Sequence, residues 1–434
     1  MNQASPPDNP VRHAAFVLLR DALTHEQAHD GEWTDHQEFL KLEPAGRAAC
    51  LNLALTTLRH LGSIDALLAA RMTKQPKGSH RAVLHLLRLG TAELLWLGTP
   101  PYAAVNSYVD LTRKQGFEAL TGLVNAVLKR ISEIGASELA ALDMAKLDTP
   151  VWLWQRWIRA YGEDNVRKMA AMHMREPALD ISVKDAAADW VNPLEAELLP
   201  TGSLRRPKAG RVTELPGYEE GAWWVQDAAA ALPVKLFGSC ENKRVLDMCA
   251  APGGKTAQLA AAGAHVTALD RSPSRLLRME HNLHRLGLDA ELVETDAHDY
   301  LPQAAFDCVL LDAPCTATGT IRRHPEIAWM RSIHDVAQLV EIQHSLLCRA
   351  AEFTAPGGTL VYATCSLEPE EGEAQIKRFL KDHPYFIAIP VDADALGIPR
   401  HWVNDAGSLR ILPCYWEERG GIDGFFAAVL KKGA

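Results

Sequence analysis

The stretch Val245-Leu246-Asp247-Met248-Cys249-Ala250-Ala251-Pro252-Gly253-Gly254-Lys255-Thr256 decides the fold. A short apolar run gives way to a cysteine and a Pro-Gly-Gly turn, which reads as a buried strand, a tight loop and the first turn of a helix. A Walker A loop is excluded, because it needs glycine five positions before Gly254 and Cys249 stands there. The dinucleotide G-x-G-x-x-G fingerprint is missing too. What is left is a glycine turn at a helix N-terminus, open to close approach by a polar ligand.

Downstream, the apolar runs Val266–Leu269, Leu292–Glu294, Cys308–Leu311 and Leu360–Ala363 alternate with helical stretches. That alternation predicts an α/β region with a doubly wound, mostly parallel Rossmann-like sheet, whose ligands bind beyond the carboxyl ends of the strands. Asp270 closes the second strand 23 residues past Asp247, the spacing at which an acid reaches ribose hydroxyls, and Thr295-Asp296 closes the third. Acids at successive strand ends favour a cofactor with ribose, adenine and a cationic amino-acid end, a description that fits S-adenosylmethionine. Its expected contacts are Cys249, Ala250, Ala251, Pro252, Gly253, Gly254, Lys255, Asp270, Arg275, Asp296 and Asp312. The fourth strand delivers Asp312-Ala313-Pro314-Cys315 and the fifth Thr364-Cys365-Ser366. Neighbouring strands lie about 5 Å apart, so two cysteines at adjacent strand ends can face one ligand.

Upstream, residues 11–60 and 79–140 carry apolar side chains at three- and four-residue spacing, which predicts an all-α N-terminal domain over 1–142. Residues 143–235 read as linker helices and a small α+β part, with strands around Ile181-Ser182-Val183 and Trp223-Trp224-Val225. Trp152, Trp154 and Trp157 read as helix-packing core. Arg205 and Arg206 open a basic loop, Leu204 to Arg211, able to contact phosphate. Residues 236–434 form the third domain.

The whole chain of 434 residues is 47% hydrophobic and 23% charged, which suits two or three domains and excludes disorder. It has no apolar run long enough to span a membrane and no signal-like start, so a cytoplasmic protein without membrane contact is expected. Eight cysteines form no Cys-x-x-Cys pair, which argues against a metal module or a disulfide scaffold. The net charge of −9 means that a nucleic-acid partner has to be held by local basic patches.

Taken together, Cys249 to Lys255, Asp312-Ala313-Pro314-Cys315 and Thr364-Cys365-Ser366 resemble the RNA cytosine-5 methyltransferases of the NOL/NOP2/Sun family. The resemblance covers nearly all of the chain. It is densest from Val225 to Ser366, including Val225-Gln226-Asp227 and the run Gly319 to Glu326, and it fades from Pro384 to Ser408. Arg81 to Val109 and Gly122 to Arg130 match the NusB-like, RNA-binding helical part found in the branch that acts on small-subunit ribosomal RNA. Thr316 stands where serine is common. The resemblance implies S-adenosylmethionine as methyl donor, Cys365 as the nucleophile that attacks cytosine, and Cys315 as the group that assists proton removal or release. It also implies that Asp312 contacts the cytosine edge and the methionine end of the cofactor, with Lys255 bordering both. Arg322, Arg323 and His324 would hold flanking phosphates of ribosomal RNA, and the target would be an unstacked cytosine in a loop or single strand. A monomer is expected. The competing readings are a NusB-like RNA-binding factor with an inactive methyltransferase fold and a transfer RNA cytosine-5 methyltransferase. A DNA cytosine methyltransferase would need a large recognition region, and too little chain follows Ser366.

Overall fold

The computed structural model describes residues 9–24, 36–72, 74 and 76–434. By its backbone contacts the chain divides into two compact units. One takes in the described part of Met1–Met174 together with His324–Arg331, and the other Arg175–Arg323 with Ser332–Ala434.

The first unit is all-α. The periodicity over 11–60 and 79–140 becomes helices Pro10–Thr24, Pro44–Arg59, Leu61–Ala69, Ala82–Leu95, Pro101–Lys114 and Thr121–Ala140, while residues 25–35 of the first stretch lie outside the described residues. Their apolar faces meet in one core that holds Phe16, Leu19, Leu58, Leu86, Leu87 and Leu128. Helix Val151–Tyr161 buries Trp154 and Trp157, and Trp157 packs against the His173 ring at 5.8 Å, so these two are core as read, whereas Trp152 is only half-buried. The short helix Glu326–Met330 belongs to this unit through Trp329, whose Nε1 donates to Leu58 O at 2.9 Å.

The second unit opens with a four-stranded antiparallel sheet: β1 (Leu179–Val183), β2 (Glu197–Leu198), β3 (Leu204–Arg206) and β4 (Trp223–Val225), in the order β2-β3-β1-β4. The pairing register sets Asp180 opposite Arg205. Here the expected basic loop is corrected, because it begins as β3 and its first arginine points inward. The Arg205 guanidinium donates to both Asp180 oxygens at 2.7 Å and to Gly421 O at 2.6 Å, and it is buried. A guanidinium saturated inside the protein is not presented to phosphate. Arg206 is half-buried and donates to Leu194 O and Ala209 O.

Beyond it runs the large sheet: β5 (Arg244–Met248), β6 (His265–Asp270), β7 (Glu291–Glu294), β8 (Phe306–Asp312), β9 (Thr354–Thr364), β10 (Phe386–Ile389), β11 (Leu409–Ile411) and β12 (Phe425–Lys432). Its order is β10-β12-β9-β8-β5-β6-β7, with β11 paired to β12. The strands from β7 to β9 are parallel, whereas β12 and β10 are antiparallel additions at one side, so the sheet is mixed. Both faces are covered. Val245 and Val266 pack into one core with Ala257, Leu259 and Met279 of the flanking helices, while Leu246 and Leu311 pack into another with Leu346 and Leu347 of helix Ile333–Phe353. Burial on both sides accounts for the unbroken apolar runs in the sequence. The chain reverses direction across the sheet between β5 and β8, which opens a crevice at their carboxyl ends.

Because Arg205 and Asp180 form a buried pair, removing one partner strands the other charge. Arg205→Ala should therefore lower stability by about 3–5 kcal/mol in denaturant unfolding. A change no larger than about 1 kcal/mol, the range of exposed pairs, would mean that the pair is solvated.

Candidate active site

The ends of β5, β8 and β9 meet because β8 is hydrogen-bonded to both of its neighbours in parallel register. Met248 lies opposite Leu311, and Asp312 opposite Ala363. Two residues past Ala363 stands Cys365, and three past Asp312 stands Cys315. Their sulfurs lie 3.5 Å apart. Cys365 lines a cleft of about 510 Å³, together with Lys255, Asp312, Arg323, Asp423 and Phe425. Part of the opposite wall comes from the small sheet, through Trp224, Val225 and Gln226.

The loop after β5 is shaped by its neighbours. Cys249 takes a left-handed backbone, with φ of 58°, and Ala250 N donates to Leu269 O at 3.0 Å. Gly253, with φ of 97°, begins the next helix, and a Cβ there would come within 2.6 Å of Met279 Cγ. Both the dihedral and the space require glycine. Asp270 at the end of β6 holds the loop and its own turn, accepting from Ala251 N at 3.1 Å and Ser272 N at 3.0 Å, while Arg275 donates to Ala251 O.

Charge in the cleft is concentrated on one pair. Lys255 Nζ meets Asp312 Oδ2 at 2.6 Å and lies over the Phe425 ring at 5.4 Å. Burial alone would lower the Lys255 pKa, but the contact with Asp312 outweighs it and raises the ammonium above its ordinary value. Behind the pair, Asp247 is buried, with one oxygen accepting from Thr256 Oγ1 at 2.6 Å and the other without a partner. Burial pushes its carboxyl up to about 7. Cys249 is pushed up to about 12 by the same cause, with the nearby carboxylates adding to it. The hydrogen bond with Cys365, followed by burial, holds the Cys315 thiol well above its usual value.

Sequence comparison places this geometry among known proteins. The profile of the NusB family matches residues 9–133, and that of the 16S rRNA methyltransferase RsmB/F family matches 235–431. A probable ribosomal RNA small subunit methyltransferase B of Synechocystis is 32% identical, over 97% of this chain and 99% of that protein. The ribosomal RNA small subunit methyltransferase B of Vibrio cholerae is 33% identical over 90% and 91%. The chain belongs to the ribosomal RNA small subunit methyltransferase B family. It is an S-adenosylmethionine-dependent methyltransferase of ribosomal RNA. Among solved structures, PH0851 shares the fold with a TM-score of 0.79 and 24% identity, over 99% of this chain and all of that one. A methyltransferase homolog from Pyrococcus horikoshii is 28% identical, with a TM-score of 0.53 over 64% of this chain and 93% of its own.

The cofactor of the family fits the residues present. Asp247, Asp270 and Asp312 all act on the Cys249 loop, and Gly253 and Gly254 leave its backbone bare, which suits a ligand carrying hydroxyls and positive charge. Among the described residues no group of His, Cys, Asp and Glu is arranged to hold a metal, and no helix is long and apolar enough to cross a membrane.

Of the residues expected at the site, the structure gathers Lys255, Asp312, Cys365 and Arg323 in the cleft, with Cys315 adjoining and Asp270 and Arg275 bracing the loop. Asp296 stands apart, exposed, accepting from His298 N at 2.9 Å and close to His298 Nδ1 at 2.7 Å. Arg322 is corrected from a surface cation to an internal strut, because it is buried and donates to Asp227 at 2.8 Å and Asp423 at 3.2 Å. Arg323 is partly exposed and is held by Asp423 at 2.6 Å. His324 lies in the first unit, 3.2 Å from Glu326. Sequence reasoning missed Asp423, whose only local signal is an acid between Gly421 and Gly424.

Since the folded protein keeps a proton on Asp247 that the unfolded chain releases, the stabilising contribution is present at acid pH and lost as pH rises through about 7. Asp247→Asn, a neutral isostere of the protonated form, should gain stability relative to the parent between about pH 5 and about pH 8. Denaturant midpoints that differ equally at both pH values would contradict this.

Proposed function

We propose that this ribosomal RNA methyltransferase acts on carbon 5 of a cytosine through a covalent bond to Cys365. The observation that carries the reading is the position of Cys365 on the cleft beside Lys255 and Asp312, with a second cysteine 3.5 Å behind its sulfur. Carbon 5 of cytosine is a weak nucleophile, and adding a thiolate to carbon 6 moves an electron pair onto it. S-Adenosylmethionine supplies an electrophilic methyl group when bound.

In this sequence the Cys365 sulfur forms a bond to carbon 6, the carbon 5–carbon 6 double bond opens, and carbon 5 takes up the methyl group. The carbon-5 proton must then leave to a base, the double bond reforms and the sulfur departs with the electron pair of its bond to carbon 6. Cys315 is the nearest sulfur that can move that proton or assist release. Asp312, anchored by Lys255, has a second oxygen to accept from the cytosine N4 amine. The base must leave its stack to enter, which favours a loop or single-stranded target, and Arg323, which lines the cleft along with Arg278 and Arg285, supports contact with its phosphate.

In the same reading residues 1–142 form a NusB-like RNA-binding part, 143–235 a linker and recognition part, and 236–434 the catalytic part. With ribosomal RNA as substrate, the place of action is the cytoplasm.

The two cysteines are separable by experiment. Cys365→Ala should abolish methylation and give no protein–RNA adduct. Cys315→Ala should still attack but release poorly, so an adduct that survives denaturing electrophoresis should accumulate. An adduct trapped by Cys365→Ala and none by Cys315→Ala would exchange the roles.

A further inference from the structure

Behind the cysteine pair lies a carboxyl group that the reaction as described does not use. Glu371 is fully buried just past the end of β9. Its Oε1 accepts from Thr316 N at 2.9 Å and from Gln343 Nε2 at 2.8 Å. Its Oε2 accepts from Ser366 Oγ at 2.5 Å and from Thr316 Oγ1. Thr316 follows Cys315 and Ser366 follows Cys365. One side chain therefore grips the residue after each cysteine, from both loops at once, and Gln343 ties the grip to helix Ile333–Phe353.

Four donors on one buried carboxyl is a full complement, since each oxygen offers two acceptor sites. Such a network is costly to leave half-made, so it resists small displacements of either loop. Other contacts fix the same loops: Thr316 Oγ1 and Ser366 Oγ lie 3.1 Å apart, Gly319 N donates to Cys365 O at 2.9 Å, and Arg410 donates to Ser366 O at 2.6 Å. Thr318 Oγ1 also lies 3.5 Å from both the Thr316 and Ser366 hydroxyls, but Glu371 makes the shorter bonds to both post-cysteine residues and does so through one rigid group. Its charge also sits on the Cys315 side, where it adds to the causes that keep that thiol protonated.

We propose that Glu371 is a positioning residue for methyl transfer: by clasping Thr316 and Ser366 it sets the separation and the unequal roles of Cys315 and Cys365. This rests on the covalent reading above. Glutamine at 371 can keep Oε1 as acceptor while its amide donates to the two hydroxyls, so it preserves the clasp, whereas alanine removes it.

The test compares Glu371→Ala and Glu371→Gln in the full chain. With RNA carrying 5-fluorocytidine, which has no carbon-5 proton to lose, the adduct should form about a hundredfold more slowly in Glu371→Ala, because misplacing a nucleophile by about 1 Å costs that much. Glu371→Gln should recover most of the rate, and S-adenosylmethionine Kd and RNA KM should stay within about twofold of the parent in both, far below the tenfold that 1.4 kcal/mol would give. In the protein without cofactor or RNA, iodoacetamide should alkylate Cys365, which lines the cleft, faster than Cys315 behind it, and Glu371→Ala should bring the two rates together. An unchanged adduct rate and alkylation ratio in Glu371→Ala would overturn the clasp, as would equal losses in the Gln and Ala variants. A parent protein that forms no adduct while the alkylation ratio shifts as described would overturn the covalent reading and leave the clasp standing. If Glu371→Ala loses cofactor binding, Thr316→Val and Thr316→Ser replace it: the hydroxyl-free variant should show the loss and the serine variant should not, and parity between them would overturn the proposal.

Discussion

Parallel pairing of β8 with β5 on one side and β9 on the other is the constraint on which the site depends. Strand ends in a sheet are held about 5 Å apart by main-chain hydrogen bonds, whatever their side chains. Three such ends therefore bring the glycine loop, Asp312 and Cys365 together without any of them having to find the others. The antiparallel entry of β12 beside β9 adds Phe425 from a distant part of the chain, since Phe426 lies opposite Thr364. A register slip of one residue in β8 would turn Asp312 to the other face of the sheet.

The electrostatics follow from that geometry. Carboxyl groups at 247, 270 and 312 act on the Cys249 loop; burial holds a proton on Asp247, Arg275 faces Asp270 at 3.7 Å and Lys255 meets Asp312 at 2.6 Å. On the other side of the cleft the balance is kept internally: Asp227, Asp423 and Arg322 are all buried and bonded to one another, and Arg323 completes the group at the surface. Burial and its two carboxylate neighbours push the Asp227 carboxyl up to about 7. This cluster joins the approach to the small sheet, through Asp227, to the loop before β12.

Much of this was legible because it is local. Apolar runs ending in Asp247-Met248-Cys249, Asp312-Ala313-Pro314-Cys315 and Thr364-Cys365-Ser366 declare strands and their tips within a few residues, and both cysteines were placed correctly beside one another. What was not legible depends on partners far along the chain. Arg322-Arg323-His324 has the composition of a surface patch, yet Arg322 is buried by Asp227 and Asp423, 95 residues before it and 101 after. Arg205 reads as a loop cation until Asp180 is set opposite it by strand pairing. Glu371 sits in an acidic run, Glu368 to Glu373, where nothing in the local pattern separates the buried acid from solvated ones. The antiparallel strands β10 and β12 are likewise fixed by the sheet edge they join rather than by their own residues.

In the proposed reaction the methyl group goes to carbon 5 of a cytosine in small-subunit ribosomal RNA. Bisulfite sequencing of ribosomal RNA from cells with and without this protein tests it most directly, because 5-methylcytosine resists conversion to uracil. A single small-subunit cytosine should be protected in the parent and converted in its absence, with protection restored by the intact gene but not by one encoding Cys365→Ala. Full protection of every such cytosine without the protein, or restoration by the Cys365→Ala form, would contradict it.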